Sequence, residues 1–367
     1  MIQANRSGLP VMGFLGMHSG GRHGVPPSQN EIVAGLFRKS GGIVRTASTL
    51  RRPLFRTLHQ LGSVLWWRDV EVLIVSVFSG RSFLLAELAT PLGHLVGKHV
   101  VLFLHGGELP KFGTAHRKRV ERLLAQADRI VAPSTFLARV FHEWGYDLTV
   151  IPNVIERLPA TGAVRDPLRP RVLWMRTFHE HYDPVSAVRA FALAVRVRPD
   201  LAMTMAGADH GLEAQVRAEA RRLGVDDRIE FPGFLNSEAK QEAFERHDIF
   251  LNTNVVDNTP VSVIEAASHG LVVVATSVGG IPDLLTDGVD AVLVQASDPE
   301  ATSRAILDVL DDPERGRRLS QGALTLAAAS EWPSVRKRWE HELGFVVPGG
   351  ARASRSVGVS DGHGGPR

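Results

Sequence analysis

Two doubly wound α/β domains are what this sequence predicts, on three observations. Short apolar runs rich in β-branched residues alternate with helical patterns, as buried parallel strands joined by crossover helices do. The alternation stops over residues 157–170 (RLPATGAVRDPLRP), in favour of Pro, Gly, Ala and Arg, and then restarts. A chain of 367 residues also exceeds what one hydrophobic core usually supports. The expected boundaries are a first domain over 1–156, a linker over 157–170, a second domain over 171–330, a closing helix over 331–345 and a disordered tail over 346–367.

In the first domain the strands are read at Val11–Leu15, Val70–Phe78 (VEVLIVSVF), His99–Leu104 (HVVLFL) and Arg129–Ala132 (RIVA). Ala115–Ala127 is the clearest helix, with Val120, Leu123, Leu124 and Ala127 on one face and basic residues on the other. In the second domain Val172–Met175, Ala202–Ala206, Ile229–Phe231, Ile249–Asn252, Val272–Ala275 and Ala291–Val294 read as strands. Pro184–Arg198 and Leu212–Leu223 read as helices between them. The last amphipathic stretch carries Trp332, Val335 and Trp339, which are expected to pack. The tail over 348–367 is Gly-, Ser- and Arg-rich, with almost nothing to bury.

Composition narrows the function classes. With 44% hydrophobic and 22% charged residues the chain fits a globular protein, and its longest apolar runs are broken too early to span a membrane. There is no cysteine, which excludes thiolate metal sites and a cysteine nucleophile and points to a reducing, cytoplasmic setting. Charge is uneven: residues 1–155 carry 18 Lys and Arg against 9 Asp and Glu, a net +9, and the remainder carries 24 against 30, a net −6. A basic first half favours anionic partners, such as a diphosphate-bearing acceptor or the phospholipid head groups at the inner face of a membrane. A solvated basic face explains it equally well. No aromatic platform or basic recognition helix accompanies the charge, which argues against nucleic acid.

The densest chemistry lies between Asp257 and Asp283. Asp257-Asn-Thr-Pro-Val-Ser-Val-Ile-Glu265 joins a strand end to a helix, with Thr259 as the expected N-cap and Pro260 at the first helical position. The free N–H groups of Val261 and Ser262 and the positive helix end suit a diphosphate. Glu265 follows within two turns, placed to accept from a ribose diol. After the next strand, Gly279-Gly280 allows a backbone to come close to a ligand. In the first half, His105 ends the strand His99–Leu104 and is followed by Gly106-Gly107, and Ser19-Gly20-Gly21-Arg22 follows the first strand. No Asp-any-Asp metal motif stands at a strand end.

At these residues the sequence resembles family 4 of the retaining glycosyltransferases, which have the GT-B fold of two Rossmann-like domains facing a cleft, with a C-terminal helix crossing back to the first. The family pattern has two Glu separated by seven residues; here Glu265 matches the second and Asp257 takes the place of the first. The resemblance runs from about Phe103 to Trp339. It implies that Glu265 binds the nucleotide ribose, that Asp257 contacts the transferred sugar or orders its loop, that Arg176 binds the donor diphosphate, and that His105 lies near the donor sugar. The family lysine five residues after that arginine is here His181. Gly20 and Gly21 match the loop beside the reacting phosphate, and Gly233 and Phe234, in Phe231-Pro-Gly-Phe234, match the loop beside the nucleobase; Phe231 itself reads as core. His105, Arg176, Asp257 and Glu265 are thus the candidate catalytic residues. Gly20, Gly21, His181, Gly233, Phe234, Thr259, Pro260, Val261 and Ser262, with Glu265, are the candidate donor-binding residues.

The implied activity is retaining, metal-independent transfer of a sugar from a UDP- or GDP-linked donor to a hydroxyl acceptor. Two rivals fit the same residues: a sugar-nucleotide epimerase of this fold, and a protein that keeps the nucleotide-sugar pocket without the chemistry.

Overall fold

Valine, isoleucine and leucine dominate the strand sequences because most of these strands are buried on both faces, and the computed structural model shows this directly. It describes residues 9–16, 27–47, 49–50, 52–155 and 162–346. The first sheet comprises β1 (Met12–Leu15), β2 (Val44–Ala47), β3 (Val72–Val77), β4 (His99–Leu104), β5 (Arg129–Ala132) and β6 (Thr149–Val150). It is parallel throughout, in the order β2-β1-β3-β4-β5-β6. Its helices are α1 (Gln29–Lys39), α2 (Pro53–Trp66), α3 (Phe83–Leu95), α4 (Leu109–Ala115), α5 (Arg117–Leu124) and α6 (Thr135–His142).

The second sheet comprises β7 (Arg171–Met175), β8 (Ala202–Ala206), β9 (Ile229–Gly233), β10 (Ile249–Asn252), β11 (Val272–Thr276) and β12 (Ala291–Val294). It too is parallel, in the order β12-β11-β10-β7-β8-β9. The order reverses between β7 and β10, so the loops leaving their carboxyl ends diverge and open a crevice there. The helices of this half are α7 (Pro184–Val197), α8 (Glu213–Leu223), α9 (Ser237–Arg246), α10 (Val261–Ser268), α11 (Ile281–Leu284), α12 (Pro299–Asp311) and α13 (Pro313–Ala328). Several follow elementary capping rules: Asp183, Asn236, Asp298 and Asp312 each accept a hydrogen bond from the third residue onward, and Pro184, Pro299 and Pro313 open their helices.

The closing helix α14 (Trp332–Val346) packs not on the second sheet but on the first. Val335, Trp339 and Leu343 join Met12, Phe14, Ile74 and Phe103 in one apolar cluster, and Trp339 meets Phe103 edge-on with ring centroids 5.2 Å apart. Trp332 Nε1 donates to Ser40 Oγ at 2.9 Å. The architecture is the expected pair of doubly wound domains with a helix crossing back.

One local reading changes and two strands are added. Ala115–Ala127 is not one helix: the backbone breaks at His116 (φ −129°, ψ 39°), whose ring packs on Phe112 with centroids 4.6 Å apart, so α4 and α5 are separate. The strands β2 and β6 were not legible, because β2 (VRTA) is a largely exposed edge and β6 is two residues long, and neither carries an apolar run. The tail beyond residue 346 lies outside the described residues.

Because Trp339 is fully buried, Trp339→Ala should lower the unfolding free energy by about 3–5 kcal/mol, read as a lower urea midpoint. An unchanged midpoint would mean that α14 contributes little to holding the first domain.

Candidate active site

The crevice between β7 and β10 gathers the chemistry of the second domain. Arg176 is the first residue past β7, and its N–H continues the ladder by donating to Ala206 O at 3.1 Å. Its guanidinium is mostly buried and held from three sides. Nη2 donates to Asp257 Oδ2 at 2.5 Å, Nη1 lies 3.4 Å from Ser262 Oγ, and the plane stacks 4.1 Å over the Tyr182 ring. Its Nε is buried without a partner. Asp257 is held in turn by Asn254 Nδ2 at 2.6 Å and by the Asn258 N–H at 2.7 Å. Two candidate residues 81 positions apart in sequence are therefore bonded to each other.

Helix α10 starts one residue later than its sequence suggests. Pro260, not Thr259, is the N-cap: its carbonyl accepts from Val263 N at 3.1 Å and Ile264 N at 3.4 Å, and no side chain caps the helix. A proline has no N–H to lose there. Thr259 instead offers its carbonyl to Asn153 Nδ2 of the first domain at 3.1 Å, and its Oγ1 is buried and unpaired. Val261 and Ser262 occupy the first helical positions, whose N–H groups have no intrahelical acceptor.

The paired glycines take a different part from the one expected. A Cβ on Gly279 (φ +55°) would lie 2.0 Å from Asp257 O, and one on Gly280 would lie 2.3 Å from Asn258 O. Gly107, from the first domain, is also tight, with Asp257 C 2.9 Å from its would-be Cβ. These glycines let backbone approach backbone; what they admit is the Asp257 loop.

Glu265, on α10, pairs with Lys240 of α9, a partner that sequence reasoning missed. The lysine lies 25 residues away and looks like any solvated cation of an amphipathic helix. It is a cation beside Glu265, standing on a different element from His181. His181 is fixed to the site through its main chain, its carbonyl accepting from Val255 N at 2.8 Å, while its ring lies 4.6 Å from that of His179. Gly233 (φ +76°) ends β9 and accepts from Gly207 N at 2.9 Å; Gly207 abuts the Arg176 carbonyl, where a Cβ would sit at 1.8 Å. Phe234 is 43% exposed, and Phe231 packs against the core under the Arg217 guanidinium, 4.2 Å from its ring.

Across the cleft, His105 is the first residue past β4 and is buried between Phe78 and Phe103, with ring centroids 4.8 and 4.0 Å away. Its Nε2 has no partner. Burial pushes the imidazole down to about 3, so it is neutral at pH 7 and supplies a hydrogen-bonding nitrogen, not a positive charge. Gly20 and Gly21 lie outside the described residues. The domains touch through Ser134, which caps α6 and donates to Asn258 Oδ1, and through Arg139, whose guanidinium lies 3.2 Å from Asp283. Among the described residues, His179, Glu180 and His181 are the group with metal-ligand spacing, their donor atoms within 4.8 Å of one another. No helix among them is long and apolar enough to cross a membrane.

Comparison with known proteins divides the chain as the fold does. Residues 26–157 match the family model described as Glycosyltransferase Family 4, and residues 165–325 match that described as Glycosyl transferases group 1. D-inositol 3-phosphate glycosyltransferase of Streptomyces avermitilis is 28% identical over 236 residues, covering 58% of this chain and 51% of that protein. The enzyme of the same name from Thermobispora bispora is 26% identical over 242 residues, 59% of this chain and 56% of that one. The chain thus spans about half the length of these curated relatives. Among solved structures, sucrose-phosphate synthase from Thermosynechococcus elongatus superposes with a TM-score of 0.75 at 16% identity, covering 91% of this chain and 98% of that one. Anabaena HepE in complex with UDP superposes with a TM-score of 0.71 at 15% identity, covering 91% and 99%. Both show the GT-B fold.

The buried His105 has a consequence for stability. Its folded value is about 3 and its unfolded value about 6.5, so protons bind the unfolded chain preferentially between them. The stability it allows is fully present above pH 6.5 and falls by about 1.4 kcal/mol per pH unit as pH drops toward 3. Lowering the pH from 7 to 5 should therefore cost the wild type about 2 kcal/mol more than His105→Asn, measured by urea unfolding at both pH values. Equal losses would show that His105 is not held neutral.

Proposed function

Since this chain belongs to the glycosyltransferases that the family 4 and group 1 models describe, we propose that it moves a sugar from a nucleotide-sugar donor to a hydroxyl acceptor, with retention at the anomeric carbon and without a metal. The observation that carries the reading is the placement of the Arg176 guanidinium beside Ser262 at the open start of α10. A cation and a helix N-terminus converge where the strand order reverses, which is the arrangement a diphosphate requires.

In this reading the diphosphate lies on the Val261 and Ser262 N–H groups and against Arg176. Asp257 orients that guanidinium, as its 2.5 Å contact requires. Glu265, steadied by Lys240, accepts from the ribose diol. The bond from the anomeric carbon to the leaving phosphate oxygen lengthens as the acceptor hydroxyl attacks from the same face, and that phosphate oxygen takes the hydroxyl proton. Charge stabilisation of the departing diphosphate carries most of the rate, so no covalent nucleophile is needed. His105, neutral in its aromatic slot, positions the sugar from the first domain. His181 bounds the diphosphate side, and Gly233 and Phe234 the base.

The UDP bound to Anabaena HepE favours a UDP-linked donor over a GDP-linked one. A chain without cysteine suits the reducing cytoplasm, and the basic first half supports a peripheral position at the anionic inner face of a membrane.

Arg176→Ala should lower the rate of donor consumption by about 10²–10³-fold, and Glu265→Ala should weaken donor affinity by about tenfold to a hundredfold. Both are measurable by nucleotide release and calorimetry. Wild-type affinity and rate in both variants would overturn the site. Activity should also persist in EDTA; its loss would overturn metal-free transfer and direct attention to His179, Glu180 and His181. An isomerised donor in the NMR spectrum, formed without acceptor, would mark an epimerase instead.

A further inference from the structure

Helix α2 turns large apolar side chains outward. Its inward face carries Val64, seated in the core, together with two buried polar residues, Gln60 and Ser63, with Gln60 Nε2 donating to Gly16 O at 2.5 Å and Ala47 O at 3.1 Å and Ser63 Oγ donating to His59 O at 2.8 Å. Its outward face carries Leu54, Leu58, Leu65 and Trp66, of which Leu54 is 68% and Trp66 85% exposed. A helix whose outer face met only water would have the opposite pattern. The neighbouring α3, which packs beside α2 on the same side of the sheet, repeats the anomaly: Leu84, Leu88 and Leu95 follow one another on its outer face, all exposed. Two adjacent helices thus both turn several large apolar side chains outward, more than the isolated exposed leucines any protein carries.

Charge identifies what covers it. Residues 49–68 contain four arginines (51, 52, 56 and 68) and no carboxylate, and Arg52 and Arg68 are exposed at the two ends of α2. The one acid of α3, Glu87, is neutralised by Arg119 of α5. An apolar face flanked by cations, with large aliphatic side chains and a tryptophan outward, is complementary to the boundary between anionic head groups and acyl chains. A second copy of the chain would bring arginine against arginine. We propose that the outward faces of α2 and α3 form a membrane-docking surface that inserts shallowly into an anionic leaflet. The inference rests on the peripheral reading above and on none of its chemistry. Its geometry also has a use: α2 and α3 begin at the carboxyl edge of the first sheet, after β2 and β3, so Leu54 and Leu84 lie at the cleft end and a docked domain would open its cleft toward the leaflet.

The test is co-sedimentation of the full chain with vesicles of phosphatidylcholine alone and with phosphatidylglycerol added, without nucleotide. The wild type should bind the anionic vesicles and release in high salt, with a blue shift of tryptophan emission. The triple variant Leu54→Ser, Leu58→Ser, Trp66→Ser should lose at least about tenfold in partitioning and lose the blue shift, with an unchanged urea midpoint because all three side chains are exposed. Arg52→Gln with Arg68→Gln should weaken anionic binding by about fivefold per charge while leaving the apolar face intact. Wild-type binding by the triple variant would overturn the surface and leave the peripheral reading standing. A concentration-dependent dimer that the triple variant abolishes would likewise overturn the surface alone, and no binding by the wild type to either vesicle would overturn both.

Discussion

The loop at Asp257 and Asn258 is where the molecule is most constrained. Its main chain is pressed between Gly107 of the first domain and Gly279 and Gly280 of the second, at separations that no Cβ could tolerate. Its carboxylate holds Arg176 and Asn254, and the Asn258 side chain meets Ser134 across the cleft. A mostly buried guanidinium is costly to leave unpaired, so the ion pair orders Arg176 whether or not it adds net stability. Position is its contribution: the arginine proposed to hold the diphosphate has its rotamer set from three sides.

The same loop joins the two sheets. A cleft enzyme of this architecture must keep two independent cores in register, and here the polar seam supplies direction while apolar packing supplies strength. Arg139 and Asp283 are too exposed to contribute much. Trp339 and its neighbours on α14, buried against β1, β3 and β4, tie the end of the chain to the first core by shape and area. At the Asp257 loop, by contrast, the contacts with the first domain are backbone and polar.

Electrostatically the halves are complementary. The second domain, acidic in sum, sets two cations and a positive helix end near the crevice: Arg176 past β7, Lys240 on α9 and the start of α10. Each of the two side chains is paired with a carboxylate, Asp257 or Glu265, so the site has oriented charge without large net charge. The first domain, basic in sum, keeps a neutral imidazole between two phenylalanines at the cleft and its arginines beside the apolar outer helices.

Local pattern carried much of this from the sequence alone. The interior strands, Arg176 at the end of one, and the strand-to-helix segment from Asp257 to Glu265 were legible because burial on both faces writes continuous apolar runs and because a helix start after a strand has few spellings. The edge strands β2 and β6 were not, since an edge need not be apolar. Beyond reach were pairings between distant residues: Arg176 with Asp257, Lys240 with Glu265, and Gly107 with a loop about 150 residues later. Helix α2 and its outward apolar face were not read either, since which face of a helix turns inward is decided by the sheet beneath it. Sequence determined the interior strands and the fold class, because burial on both faces is written in neighbours a few residues away. The tertiary structure decided which charges meet, which glycines are indispensable and which leucines face outward, because these depend on the crossing of chains that only packing brings together.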